Sequence, residues 1–116
     1  MDTPQIESYR FGLIKIDGLS YRKDLIILPS GVLPDWWRWR GHWLTIDDLS
    51  AVMEAAPELL IIGSGAYGRM LVAQDALQVL DRRGIRMQVA KTAEACEIYN
   101  LQRLTSKTAA ALHLTC

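Results

Sequence analysis

Two short segments of this sequence hold residue types that could do chemistry. The first is Gly63-Ser64-Gly65-Ala66-Tyr67-Gly68, a G-x-G-x-x-G pattern that follows the apolar run Leu59–Ile62. In dinucleotide-binding enzymes such glycines let the backbone approach a pyrophosphate seated on the next helix. Here the context opposes that chemistry. Arg69-Met70-Leu71-Val72 has no clear helical start, and Ala90-Lys91-Thr92 stands where an acid should bind ribose. Two readings remain. One is a tight turn at a strand end that needs positive φ. The other is a site for a small anion or metabolite, since ligands favour the carboxyl ends of strands in α/β sheets. That site would gather Gly63, Ser64, Gly65, Tyr67, Thr92, Tyr99 and Asn100.

The second segment is Trp36-Trp37-Arg38-Trp39-Arg40-Gly41-His42-Trp43, which contains all four tryptophans of the chain. Aromatic side chains interleaved with cations suit base stacking with phosphate contacts, or a protein-binding hot spot. Read as a strand through Leu44, one face carries Trp37, Trp39, Gly41 and Trp43, and the other Trp36, Arg38, Arg40, His42 and Leu44. The expectation is that Trp37, Trp39 and Trp43 pack inward. Trp36, Arg38, Arg40 and His42 then form the candidate partner surface.

Other reactive groups are sparse. His42 and His113 are the only histidines and Cys96 and Cys116 the only cysteines, so a closed four-ligand zinc site is not expected, and no cofactor is called for. Cys96 reads as a small hydrophobe within a helix, while Cys116 is a weak nucleophile candidate. Asp47-Asp48 fits helix-start charges better than an acid/base pair. Asn100, mid-helix, implies a specific hydrogen bond. No complete catalytic constellation emerges.

Thirteen Lys+Arg balance thirteen Asp+Glu over 116 residues. Zero net charge gives no electrostatic support for nucleic-acid binding. The start Met1-Asp2-Thr3-Pro4 lacks the pattern of a signal peptide, and the longest aliphatic stretches, Leu25–Leu28 and Leu59–Ile62, are far short of a membrane span. Few cysteines and no signal peptide suggest a reducing cytoplasm. The length fits one domain, residues 1–116.

Elements must position these residues. Alternation over residues 6–16, with Asp17-Gly18 as a hairpin turn, predicts N-terminal strands. Leu25–Leu28, closed by Pro29-Ser30-Gly31, predicts a strand buried on both faces. Thr45 is expected to cap a helix with the stripe Ile46, Leu49, Val52 and Met53. Leu59–Ile62 predicts another buried strand. Gln74–Arg83 predicts a helix with Leu77 and Leu80 inward, stopped by Gly84. Ile85–Ala90 alternates as a strand, Thr92 is expected to cap a helix over about 93–104, and Lys107–Leu114 is a last strand despite Ala109–Ala111. The order predicts an α/β fold with a mixed, mostly parallel central sheet and an N-terminal β-hairpin region.

Several segments together carry a resemblance. They are the Ile6…Gly18 strand pair, Trp37-Arg38 with His42, Ile61-Ile62-Gly63-Ser64-Gly65 and Arg83-Gly84-Ile85. Thr92-x-x-Ala95-x-x-x-Tyr99-Asn100 and the tail His113-Leu114-Thr115-Cys116 complete the set. In this order they resemble the Mth-like domain family, a domain of unknown function. It includes mitochondrial complex I assembly factor three and the adipogenesis-associated Mth-domain-containing protein. The resemblance implies a three-layer α/β fold and a non-catalytic role in assembly or regulation through protein contacts. The expected partner is another protein, with self-association as an alternative. Relatives often carry Glu and Arg after the third helix. Thr105, Ser106 and Lys107 stand there in this chain, so no charged site is carried over.

Overall fold

The computed structural model describes residues 3–116; Met1 and Asp2, part of the segment read for a signal peptide, lie outside the described residues. The chain opens with strands β1 (Ile6–Arg10), β2 (Leu13–Ile16) and β3 (Leu19–Tyr21), paired antiparallel in that order. Asp17 and Gly18 join β2 to β3 with φ of 48° and 83°, the left-handed pair that a two-residue hairpin needs.

The central sheet contains β4 (Leu25–Leu28), β5 (Gly31–Leu33), β7 (Leu59–Ser64), β9 (Arg86–Ala90) and β10 (Thr108–His113), ordered β5-β4-β10-β7-β9. Its β10–β7 and β7–β9 pairings are parallel, and its β10–β4 and β4–β5 pairings antiparallel. The sheet is therefore mixed, with half its pairings parallel where mostly parallel was expected. The reason is that β4 and β5 form a hairpin that inserts beside β10. Every residue of β7 and β10 is buried. Ala109–Ala111 are poor strand formers, but ladders on both sides and burial override that preference.

Layers cover both faces of this sheet. One face holds Leu25, Ile27, Ile61, Ala110 and Leu112 against β1 and β2 and helix α3 (Thr92–Gln102). The other holds Ile26, Leu60, Ile62, Ala109 and Ala111. They pack against Trp36, a 3-10 turn at Ile46–Leu49, and helices α1 (Ser50–Ala55) and α2 (Gln74–Arg82). The two clusters follow directly from the period-2 alternation of side chains along strands buried on both sides. Among the described residues no helix is long and apolar enough to cross a membrane.

Three local expectations change. The run Trp36–Leu44 is not a strand. Only β6 (Trp43–Leu44) is extended, pairing with β8 (Leu71–Val72), while Arg40 makes an isolated bridge back to Trp43. Thr92 does not cap α3. It lies inside the first turn, fully buried, and its hydroxyl spans Gly65 and the end of β10. Thr45 does stand at the N-cap, its N–H donating to Asp48 Oδ2 at 3.0 Å, but the turn it opens is 3-10 and α1 follows.

Candidate functional site

The topology brings the ends of β7, β9 and β10 to one edge of the sheet, and β4 begins there because it runs antiparallel to β10. Asp24, just before β4, therefore meets His113, the last residue of β10. Asp24 Oδ2 lies 2.7 Å from His113 Nδ1 and accepts from Arg38 Nη2 at 2.8 Å. The Leu114 N–H donates to Asp24 Oδ1 at 2.7 Å. A carboxylate oxygen can only accept, which assigns the proton to Nδ1, and the 3.1 Å approach of Arg38 Nη2 to Nδ1 is then two donors converging on one oxygen.

Arg38 is held further by its Nε–H, which donates to Gly41 O at 2.8 Å, and by stacking 4.6 Å from the Trp36 ring centroid. The Trp36 Nε1–H donates to Asp48 O at 2.9 Å. These contacts correct the expected orientation of the tryptophan segment. Trp36 and Arg38, expected on the outer face, are 9% and 7% exposed, while Trp37 and Trp39 are 69% and 78% exposed. Alternation alone leaves the choice of inner face open. Asp24 decides it here, because it lets a guanidinium be buried as an ion pair. Trp43 is also exposed, and Arg40 and His42 stay on the surface, with the His42 ring 5.3 Å from that of His113.

Burial pushes the Asp24 carboxyl up, but the hydrogen bonds from His113, Leu114 and Arg38 outweigh it and hold the group below its ordinary value of 3.8. A carboxylate depressed in the folded state contributes stability that is complete above its unfolded value and lost as pH falls through its folded one. Thermal unfolding should therefore show a falling midpoint below about pH 4. Asp24→Asn should reduce that dependence. A pH response identical in both proteins would contradict the assignment.

The glycine loop lies beside this cluster and is knitted to the tail. The Gly65 N–H donates to Thr92 Oγ1 at 2.9 Å, and Thr92 Oγ1 donates to His113 O at 2.6 Å. The Ala66 N–H donates to Thr115 O at 2.7 Å, and the Gly68 N–H to Gly65 O at 3.2 Å. Ser64 Oγ donates to Ala90 O at 3.1 Å. Three of the loop's N–H groups thus point to protein acceptors. Gly63 is buried so tightly that a Cβ there would lie 2.9 Å from both Leu112 and Thr92. Tyr67 is exposed at the loop tip, packing on Phe11 with Arg69 above its ring.

Of the seven candidate ligand residues, the structure brings together Gly63, Ser64, Gly65, Tyr67 and Thr92. Tyr99 and Asn100 lie about two turns further along α3 and serve the N-terminal strands. Tyr99 Oη donates to Pro4 O at 2.6 Å. Asn100 makes a two-way pair with the Ile6 backbone, at 3.0 and 2.7 Å. The mid-helix asparagine thus makes the specific hydrogen bond its position implies. Cys96 is buried in α3, which pushes its thiol up to about 12 and removes it as a nucleophile. Among the described residues no group of three or more His, Cys, Asp or Glu could hold a metal ion.

A groove of about 410 Å³ is lined by Trp36, Trp37, Trp39, Asp47, Asp48 and Ala51 among others. Trp37 and Trp39 meet edge to face, 5.1 Å between centroids and 83° between planes. Its lining carries two carboxylates and no basic side chain.

Comparison with known proteins places this architecture. The chain is 30% identical over 109 residues to NADH dehydrogenase [ubiquinone] 1 alpha subcomplex assembly factor 3 of Danio rerio. That match covers 91% of this chain and 61% of the relative, so the chain spans about three-fifths of the relative's length. The crystal structure of the conserved hypothetical protein PH1505 from Pyrococcus horikoshii superposes with a TM-score of 0.83 at 25% identity. It covers 97% of this chain and 99% of that one. The solution structure of a Mth938-like domain from Bordetella pertussis shares the fold with a TM-score of 0.70 at 18% identity, over 96% and 85% of the two chains. The family described as a protein of unknown function, DUF498/DUF598, matches residues 6–113, and this chain belongs to it.

Proposed function

We propose that this domain is a non-catalytic, assembly-type factor that binds another protein through the Trp37–Trp39 groove. One observation carries the reading: two tryptophans, 69% and 78% exposed, stand together in the lining of a groove that Trp36 also lines. Large aromatic side chains left in water are costly unless a partner covers them, and tryptophan is the residue most enriched at binding hot spots. Trp36 is fixed in that lining by its hydrogen bond to Asp48 and by Arg38, itself paired with Asp24. The buried cluster thus acts as a scaffold for the surface. Similarity to an assembly factor supports the same reading. Two free thiols suit a reducing cytoplasm, where we place the protein.

The test uses a photo-crosslinking amino acid placed singly at positions 37, 39 and, as a control, the exposed Gln78 on α2. Positions 37 and 39 should yield adducts with one different protein, and Gln78 none. Trp39→Ala should weaken the isolated complex at least about tenfold without lowering the melting temperature. Adducts formed equally at Gln78, or only with a second copy of the chain, would overturn the reading.

A further inference from the structure

We infer that the groove reads an alkylammonium cation, the side chain of a lysine on the partner protein, seated in the corner between Trp37 and Trp39. The inference rests on the docking reading above and adds the chemistry of the occupant. Aromatic faces attract cations through the ring quadrupole. Here the two rings stand at 83° with centroids 5.1 Å apart, so a compact cation can touch both walls. A planar guanidinium stacks on one face at a time, so this corner favours ammonium over guanidinium. The third ring, Trp36, already has a guanidinium over it, with Arg38 at 4.6 Å from the centroid. The free cation sites are therefore on Trp37 and Trp39.

The rim supplies the matching charge. Asp47 is exposed, and Asp48 accepts from the Thr45 N–H and from the Trp39 N–H at 3.0 and 3.3 Å. Asp48 thereby also fixes the backbone that carries Trp39. Arg38, which stacks on the Trp36 ring, is balanced by Asp24, and no basic side chain lines the groove. The groove is thus an aromatic corner with a net negative rim, which complements a lysine bordered by apolar residues.

The experiment titrates the full chain with choline and with its neutral carbon isostere, 3,3-dimethylbutan-1-ol, following the four indole N–H signals by NMR. A Leu-Lys-Leu peptide and its norleucine and arginine counterparts are then used as competitors. Choline should move the Trp37 and Trp39 signals saturably, and the isostere should bind about fivefold more weakly. The lysine peptide should displace choline, and the norleucine and arginine peptides should do so several-fold less well. Trp39→Ala should abolish the response and Asp47→Asn should weaken it. Equal binding of cation and isostere, no saturable shift, or displacement by norleucine as good as by lysine would overturn the inference. A crosslinked complex that forms through Trp37 and Trp39 but ignores excess choline would overturn the cation and leave the docking reading standing. Choline binding with no protein adduct would do the reverse to the docking reading, and would overturn lysine as the source.

Discussion

Asp24→Ala should be among the most destabilising single substitutions in this protein. The carboxylate is the only counter-charge that Arg38 has among the described residues, and the Arg38 side chain is 4% exposed. Removing it leaves a guanidinium buried without compensation, an imidazole with an unpaired Nδ1 and a Leu114 N–H without its acceptor. Breaking one side of a buried pair costs about 3 to 5 kcal/mol, because the surviving charge keeps its desolvation penalty. Arg38 retains Gly41 O and the Trp36 face, which places the expected loss near the lower limit, about 3 kcal/mol. For a chain of this length that corresponds to a melting temperature lower by roughly 10 °C or more. Combining Asp24→Ala with Arg38→Met should recover at least half of the loss, since an apolar pair needs no counter-charge. Chemical denaturation of the single and double variants checks both statements. A single-variant loss below about 1 kcal/mol, within the range of exposed ion pairs, would show that the cluster is solvated in solution.

Gly65→Ala should have an effect of similar size for a different reason. Gly65 has φ of +103°, which side chains with a Cβ rarely adopt. A Cβ there would stand 2.8 Å from His113 Cδ2, 2.9 Å from Thr115 O and 3.0 Å from Cys116 O. Two of these neighbours are backbone oxygens, so the tail must move. Strain of about 1 to 2 kcal/mol for the backbone, plus about 1 to 3 kcal/mol for overpacking, gives an expected loss of about 3 kcal/mol. Gly18→Ala is the control. Its φ is +83° and nothing lies within 4 Å of the added carbon, so it should show the backbone contribution alone, about 1 kcal/mol. If both variants lose the same amount, the glycine loop is open in solution, as a ligand cradle would be. A larger loss for Gly65→Ala marks it as a closed structural turn. Its displacement of His113 should also blunt the acid response assigned to Asp24.

The two variants probe two sides of one assembly. Gly65 of the loop lies close to His113, Asp24 bonds the same ring, and Arg38 bridges Asp24 to the Trp36 ring. Loosening the cluster should therefore also weaken partner capture at Trp37 and Trp39, although neither substitution touches the groove.

Most of the elements, and which strands are buried on both faces, are legible in local sequence signals. The uninterrupted apolar runs at Leu25–Leu28 and Leu59–Ile62 predict strands covered on both faces, and the structure has strands there that are buried almost throughout. Asp17-Gly18 specified its hairpin through left-handed geometry, and Gly84, at φ 71°, ended α2. Asn100 announced a specific bond by its poor fit to a helix interior. These signals are local, because backbone sterics and side-chain periodicity act over a few residues. Which side of the tryptophan segment is buried is set by long-range contacts. Period-2 alternation leaves two equivalent choices, and the choice was made by Asp24, 14 residues from Arg38 and 89 from His113. Nothing near Asp24 marks it, since an acid before an apolar strand looks like any solvated charge. The same long-range pairing of β10 with both β4 and β7 turned an alanine run into a central strand and made half of the sheet antiparallel. Contacts across such separations are set by how layers pack, which no short window of sequence contains.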